Sequence, residues 1–260
     1  MPESIENVRA DVCEHILVAP EHYLLTLSAP GIAREVRPGQ FVMLRPSAGA
    51  DPLLPRAFSV YNAEPQPGRI SVLYRVVGRG TERLQLCAAG QPVQTWGPLG
   101  NRFSAPAGRR VALVGGGVGV PPLVFLAASL RGSDLDVTAL IGASTSDFLI
   151  GVADLERAGA AVQTSTDDGS LGHHGYVTDL LARYLDRGDA AIYACGPMPM
   201  LAAVDRLVRE RGRPAELALE APMACGVGAC LGCTVPRAGG GYARVCTDGP
   251  VFPSGAVGWD

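Results

Sequence analysis

Cys225, Cys230, Cys233 and Cys246 stand in the order C-x4-C-x2-C, then a gap of twelve residues, then C, and no other feature constrains the fold of the chain's last part so tightly. Three thiols this close in sequence meet at one place only if the backbone doubles back. Gly226, Gly228 and Gly232 are expected to allow this by taking φ > 0 without a Cβ clash. The spacing is that of a plant-type [2Fe–2S] cluster. A loop of this kind also aims N–H groups at the sulfurs, which helps set a cluster's potential, and Cys246 closes the cage from a returning segment. Zinc and disulfides fit less well. Structural zinc usually takes paired C-x2-C knuckles, and only one is present. The opening MPESIENVRADV lacks the basic and apolar regions of an export signal, so a cytoplasmic protein with reduced thiols is expected.

Composition narrows the class. At 260 residues, 47% hydrophobic and 18% charged, the chain can bury two sizeable cores beside the cluster region. A net charge of -3 leaves no electrostatic footprint for nucleic acid. All 22 cationic residues are arginine, and without lysine neither a Walker A phosphate loop nor a Schiff-base lysine can be built. Val111 to Leu130 carries no charge, the length of a membrane span. Its glycines at 115, 116, 117 and 119 and the pair Pro121-Pro122 would break a helix in lipid, so a soluble strand-turn-helix is predicted there.

Two rhythms divide the chain. From residue 8 to about residue 103, period-2 segments broken by Gly/Pro turns predict about six strands in an antiparallel barrel or sandwich. Tyr23, Leu25 and Leu27 share one face there, Phe41 to Leu44 follows the turn Arg37-Pro38-Gly39, and Arg69 to Val77 is rich in β-formers. After Ala105-Pro106-Ala107-Gly108 strands alternate with helices. Strands are expected at Val111–Val114, Leu135–Ile141, Ala161–Thr164 and Ala190–Ala194, and helices from about Pro121, near Asp154, at Val177–Leu185 and at Met198–Arg211. That alternation predicts a doubly wound parallel sheet. The expected units are residues 1–104, 105–215 and a cluster region over 216–260.

Several short segments carry chemistry. Arg56-Ala57-Phe58-Ser59 places a permanent cation, an aromatic face and a hydroxyl in one strand, with alternation sending Arg56 and Phe58 to one side and Ser59 to the other. A flavin needs such parts, although a surface arginine beside a core phenylalanine gives the same pattern. Leu73-Tyr74-Arg75-Val76-Val77-Gly78-Arg79-Gly80-Thr81 ends a strand in a turn whose N–H groups and Thr81 hydroxyl suit an anion, or form a plain turn. Gly115-Gly116-Gly117-Val118-Gly119 follows a buried-type strand and opens a helix, the context of a dinucleotide turn and equally of a structural βα bend. Cys195-Gly196-Pro197 ends a later strand at the sheet edge where ligands of such folds sit. Gly142 to Asp147 offers hydroxyls and a carboxylate in place of an arginine for a 2′-phosphate, favouring NAD over NADP. Cys13 and Cys87 are expected in the core, and His173 and His174 facing solvent within reach of the nucleotide.

In this order, with Trp96-Gly97-Pro98-Leu99-Gly100-Asn101, Thr166-Asp167-Asp168-Gly169-Ser170 and the run Met223 to Cys233, the motifs resemble the ferredoxin-reductase-like family over nearly the whole chain. Within it they are most similar to the electron-transfer subunits of NAD-dependent, two-subunit dihydroorotate dehydrogenases. The resemblance implies an FAD-binding antiparallel β-barrel over 1–104, an NAD-binding doubly wound domain over 105–215 and a [2Fe–2S] region over 216–260. It implies that Arg56 holds the FAD phosphates and Ser59 faces the isoalloxazine near N5, with Ala57 where proline is common. Phe58, Leu73, Tyr74, Arg75, Gly80 and Thr81 would complete the flavin site. Gly115, Gly116, Gly117 and Gly119 would line the NAD pyrophosphate, and Cys195, Gly196 and Pro197 would border the nicotinamide, making Ser59 and Cys195 the candidate catalytic pair. Cys225, Cys230, Cys233 and Cys246 would ligate the cluster. The family's turn usually has one proline after Val120, and Pro121 adds a second.

Nicotinamide moves two electrons as hydride and a [2Fe–2S] centre moves one, so a flavin must convert between them. The resemblance implies electrons from the FMN of a dihydroorotate dehydrogenase catalytic subunit, through the cluster and FAD to NAD⁺, in a heterotetramer serving pyrimidine biosynthesis. No general acid or base is needed on this chain. Two other readings remain open: a reductase for a transhydrogenase or oxygenase partner, and a non-enzymatic redox sensor. The twelve-residue final gap is short for a free plant-type ferredoxin domain and weighs against the oxygenase.

Overall fold

The computed structural model describes residues 4–46, 49 and 51–259. Six strands close a barrel: β1 (Glu6–Ala19), β2 (His22–Ser28), β3 (Phe41–Arg45), β4 (Arg56–Glu64), β5 (Arg69–Arg75) and β6 (Pro92–Leu99), in the order β1-β2-β5-β4-β3-β6. Every pairing is antiparallel. Inward-facing Leu25, Leu27, Val42, Leu44, Ile70 and Val72 fill it, as alternation along each strand requires. Helix α1 (Pro30–Glu35) contributes Ile32 to that core, and α2 (Arg79–Leu84) contributes Leu84. Both helices were invisible to periodicity because six residues are too few to repeat a helical face.

The pairing of β4 leaves an opening. Arg56 to Ser59 pair only with β3, and pairing with β5 begins at Val60 opposite Val72. Beyond those positions β4 and β5 diverge, so Arg56–Ser59 and Leu73–Arg75 form the two prongs of a fork.

The second unit is a seven-stranded sheet of β7 (Arg110–Gly116), β8 (Asp136–Ala143), β9 (Ala161–Thr166), β10 (His173–His174), β11 (Ala191–Cys195), β12 (Ala215–Ala218) and β15 (Val251–Pro253). Its order is β10-β9-β8-β7-β11-β12-β15, parallel except for β15. The chain winds outward one way through β8 and β9 and the other way through β11 and β12. The switch point between β7 and β11 is where ligands of such sheets bind. Strands β10, β12 and β15 were not foreseen, being two to four residues long, and β15 brings the end of the chain back onto the sheet.

Four helices cover the sheet: α3 (Pro121–Leu130), α4 (Val152–Arg157), α5 (Val177–Leu185) and α6 (Met198–Glu210). Pro121 and Pro122 sit in the first turn of α3, where a missing N–H costs nothing, so the second proline is accommodated. Pro121 to Ala127 are all buried, because α3 lies between the sheet and barrel strand β4. This accounts for the uncharged stretch without lipid. Among the described residues no helix is long and apolar enough to cross a membrane. Helix α5 buries Val177, Leu180, Leu181, Tyr184 and Leu185, the i, i+3, i+4, i+7, i+8 stripe of a one-faced helix. A hairpin of β13 (Thr234–Pro236) and β14 (Tyr242–Arg244) carries the chain between the third and fourth cluster thiols.

Candidate functional site

A cleft of about 660 Å³ opens in the fork between β4 and β5. Arg56, Ala57, Phe58 and Ser59 all line it, as do Leu73, Tyr74 and Arg75. The expected division of Arg56 and Phe58 from Ser59 is not kept. With no partner strand on the β5 side, the edge of this segment faces the cleft, and residues of both parities reach it. The same free edge presents backbone polar groups to a ligand, and a flavin is a planar group rich in such partners.

Arg56 is held in place from two sides. Its guanidinium donates to the Leu54 carbonyl at 2.7 Å and the Pro55 carbonyl at 3.2 Å. Gly80 lies against it, so close that a Cβ there would stand 2.5 Å from Nε. Thr81 is committed to the loop itself. Its hydroxyl accepts from the Val77 N–H at 2.9 Å and the Gly78 N–H at 3.3 Å and donates to the Gly78 carbonyl at 2.9 Å. Both line the cleft, but the Thr81 hydroxyl shapes the turn where sequence suggested an open anion donor.

Tyr74 is fixed from behind. His15 Nδ1 lies 2.9 Å from the Cys87 carbonyl, which can only accept, so the ring proton is on Nδ1 and Nε2 accepts the Tyr74 hydroxyl at 2.8 Å. Tyr23 stacks on its ring at 5.8 Å and Phe58 packs at 5.6 Å. Burial, then the neighbouring Cys87 and Tyr23, push the Tyr74 phenol well above its ordinary range, so it stays a neutral donor. Cys13 and Cys87, expected in the core, are each half-buried; Cys87 packs against the edge of the barrel core.

The opposite wall is Leu219, Glu220, Ala221, Pro222 and Met223 with Pro250. Apart from Met223 and Pro250, which belong to the cluster-motif segments, the sequence carries no direct sign of these residues. The available signal was their position, since the chain must pass the carboxyl edge of the sheet on its way to the first cluster thiol. Glu220 is open to solvent through the cleft mouth yet ringed by protein, and that desolvation raises its carboxyl above the usual range.

A second cleft of about 650 Å³ lies at the switch point. Gly116, Gly117 and Val118 form its floor, Gly142, Ala143 and Ser144 its side at the end of β8, and Pro197 and Met200 its wall at the start of α6. Gly115 and Gly119 do not line it. A Cβ on Gly115 would meet Ile141 and Leu123, and one on Gly119 would collide with the Gly196 backbone, so these glycines let two loops touch. Cys195 and Gly196 sit beneath the cleft; Cys195 is 1% exposed, and burial, with the Glu220 charge beyond it, pushes its thiol well up. The carboxylate in this cleft is Asp167, while Asp147 points to solvent. His173 and His174 form β10 outside the cleft, with His173 bonded to Asp179 at 3.1 Å. Arg75 and Val118 line both clefts, which therefore adjoin.

The four C-terminal thiols fall into two pairs. Cys233 and Cys246 sulfurs are 3.2 Å apart, and Cys225, which accepts the Val227 N–H at 3.4 Å, lies close enough to Cys230 for that residue to favour its thiolate. The pairs are near enough for Cys225 to act on Cys246 electrostatically. Among the described residues no three His, Cys, Asp or Glu side chains gather as the ligands of one ion would. Two pairs suit a core of two irons, each taking two thiolates, better than one tetrahedral zinc. Burial works against the Cys225 thiolate, but N–H groups of Val227, Cys230 and Ala229 outweigh it and hold the thiol at about 7. Cys246 is pushed up to about 11 by burial and by its hydrogen bond and charge interaction with Cys233. Gly226 and Gly228 take φ of 72° and 82° as expected, but the third left-handed position is Leu231 at 59°, not Gly232.

Met223 lines the flavin-type cleft and Cys225 lies two residues on, a backbone span of at most about 7 Å. Asn101, after β6, ties the far side: its amide donates to the Val251 carbonyl at 2.8 Å and its oxygen accepts the Val251 N–H at 2.9 Å.

Residues 220–258 match the family model of the iron-sulfur cluster binding domain of dihydroorotate dehydrogenase B. The dihydroorotate dehydrogenase B (NAD⁺) electron transfer subunit of Geobacillus thermodenitrificans is 42% identical over 97% of this chain and 99% of its own length. The corresponding subunit of Desulforamulus reducens is 41% identical over 96% and 98%. The structure of an NADH-dependent reduced ferredoxin-NADP oxidoreductase superposes with a TM-score of 0.87 at 30% identity, covering 97% of this chain and 91% of that one. An Amycolatopsis cytochrome P450 reductase, at 24% identity and TM-score 0.66 over 80% and 66%, shares the fold alone. With two adjoining clefts, paired thiols and full-length identity all in agreement, the chain belongs to the family of dihydroorotate dehydrogenase B electron transfer subunits.

Proposed function

We propose that this chain carries electrons between a dihydroorotate-oxidising, FMN-containing catalytic subunit and NAD⁺ in pyrimidine biosynthesis, two copies joining two partners in a heterotetramer. The observation that carries the reading is the continuity of the relay. The nucleotide cleft meets the flavin-type cleft at Arg75 and Val118, and that cleft meets the cluster loop through Met223-Ala224-Cys225.

FAD, when bound, exchanges hydride with nicotinamide and single electrons with a [2Fe–2S] cluster. The chain's residues supply position. Arg56 offers a fixed cation for the FAD phosphates, the open edge of β4 and the Ser59 hydroxyl offer partners to the ring, and Tyr74 gives it a rigid wall. Cys225, Cys230, Cys233 and Cys246 would hold the cluster, with Cys225 predisposed to its thiolate. Gly117, with open space where a Cβ would stand, leaves the backbone accessible to a pyrophosphate, Gly116 makes room for Met200, and Pro197 bounds the nicotinamide end. Cys195, buried and protonated, packs under that end. Seven unpaired cysteines accord with a reducing, cytoplasmic setting.

The ferredoxin-NADP oxidoreductase likeness keeps a transhydrogenase subunit as a second reading, but its 30% identity is well below the 42% of the dihydroorotate dehydrogenase subunits over equal length. Protein reconstituted with FAD and cluster should oxidise NADH with an artificial acceptor and co-purify with a second, FMN-containing flavoprotein. Failure to oxidise NADH would sink the proposal, and co-purification with a ferredoxin-dependent enzyme would replace it with the second reading.

A further inference from the structure

His22 belongs to the barrel, yet it lines the nucleotide cleft with Arg75, its partner in the β2–β5 register. The ring is 4% exposed and sits 5.6 Å from the Phe148 ring of the sheet domain. Nδ1 lies 2.6 Å from the Pro20 carbonyl. A carbonyl only accepts, so Nδ1 carries the proton and Nε2 is a lone-pair acceptor. Among the described residues no protein donor meets Nε2. The turn that delivers this ring is itself unusual. Glu21 has φ 60°, one of two non-glycine residues among those described in the left-handed region. It sends the Glu21 carboxylate to Arg75 at 3.0 Å and the next side chain inward.

We propose that His22 is a nucleotide-contacting residue, accepting at Nε2 a hydrogen bond from a donor group of bound NAD, so that the barrel helps recognise the nicotinamide dinucleotide. NAD offers ribose hydroxyls, the adenine amino group and the carboxamide N–H as donors; the pyrophosphate has none and is matched to the open Gly117 backbone instead. The inference rests on the reading of this cleft as the NAD site.

The test is calorimetric titration of the FAD- and cluster-loaded protein with NAD⁺. His22→Asn keeps a donor for the Pro20 carbonyl but has no atom at Nε2, and its Kd should rise about 2- to 10-fold, the loss of one hydrogen bond. His22→Gln, whose amide oxygen reaches the Nε2 position, should bind within about twofold of the parent. Flavin content and melting temperature should match the parent in both. Equal affinity in His22→Asn, equal weakening in both variants, or weakening accompanied by flavin loss overturns the proposal. If the parent protein binds no NAD⁺, the reading of the cleft fails instead.

Discussion

Gly80 and Arg56 are two residues with one function, because the glycine leaves room for the guanidinium. Arg56→Gln should weaken FAD binding by roughly 10- to 100-fold, the 1.5–3 kcal/mol of a hydrogen bond to a charged group. Gly80→Val should do the same by displacing Arg56, and fluorescence titration of the apoprotein with FAD measures both. At the cluster, Cys225 and Cys246 differ in acidity although both are meant as ligands. In protein stripped of iron, alkylation of Cys225 by iodoacetamide should rise as pH climbs through about 7 and level off above, while Cys246 should stay slow until about 11. Peptide mass spectrometry across that range reads the two apart, and equal profiles would contradict the assigned cradle. The sequence named the four candidate ligands because spacing alone restricts them. It could not say which thiol the backbone favours, since that depends on where the N–H groups of Val227 and Ala229 point.

Strand edges and short tethers decide more of this molecule than its long elements do. Residues Arg56–Ser59 and Leu73–Arg75 were legible as flavin-type segments, but the fork that makes a cleft of them follows from where pairing stops, at Val60 and Val72. Asn101 joins the barrel's last strand to β15 and the cluster region by four hydrogen bonds, including its own N–H to the Gly249 carbonyl at 2.7 Å and its amide to the Asp248 carbonyl at 3.4 Å. Asn101→Ala removes the three side-chain bonds and leaves the backbone donor and acceptor of Val251, and the Asp248 carbonyl, without them. We expect a loss of about 1–3 kcal/mol, several degrees in melting temperature, and a lower iron content per chain. Scanning calorimetry and iron analysis check this, and unchanged values would show the tether to be dispensable. On α6, Asp205 is 1% exposed and accepts the Gly255 N–H at 2.7 Å and the Trp259 indole at 2.9 Å, fastening the chain's end in the same manner.

At the scale of the whole molecule the three parts are arranged in series. Cys233→Ser should abolish the cluster yet leave NADH able to bleach the FAD absorbance, while electron delivery to the partner subunit falls by at least an order of magnitude. Stopped-flow absorbance with and without the partner distinguishes the steps, and full delivery without the cluster would break the series. The barrel and the sheet domain are joined by α3 packed on β4 and by the Tyr61 hydroxyl, which donates to the Asp154 carboxylate. By itself the sequence determined the components: four thiols at a two-iron spacing, a β half and a βα half, and glycine turns where backbone must approach a ligand. These are local, set by residue type and separation along the chain. Only the tertiary structure decided that the second and third parts share one sheet through β15, that Leu219–Met223 walls the cleft in the β4–β5 fork, and that a barrel histidine lines the cleft at the switch point. Those are contacts between segments far apart in the chain, fixed by how the barrel, sheet and cluster loop bury their common surfaces.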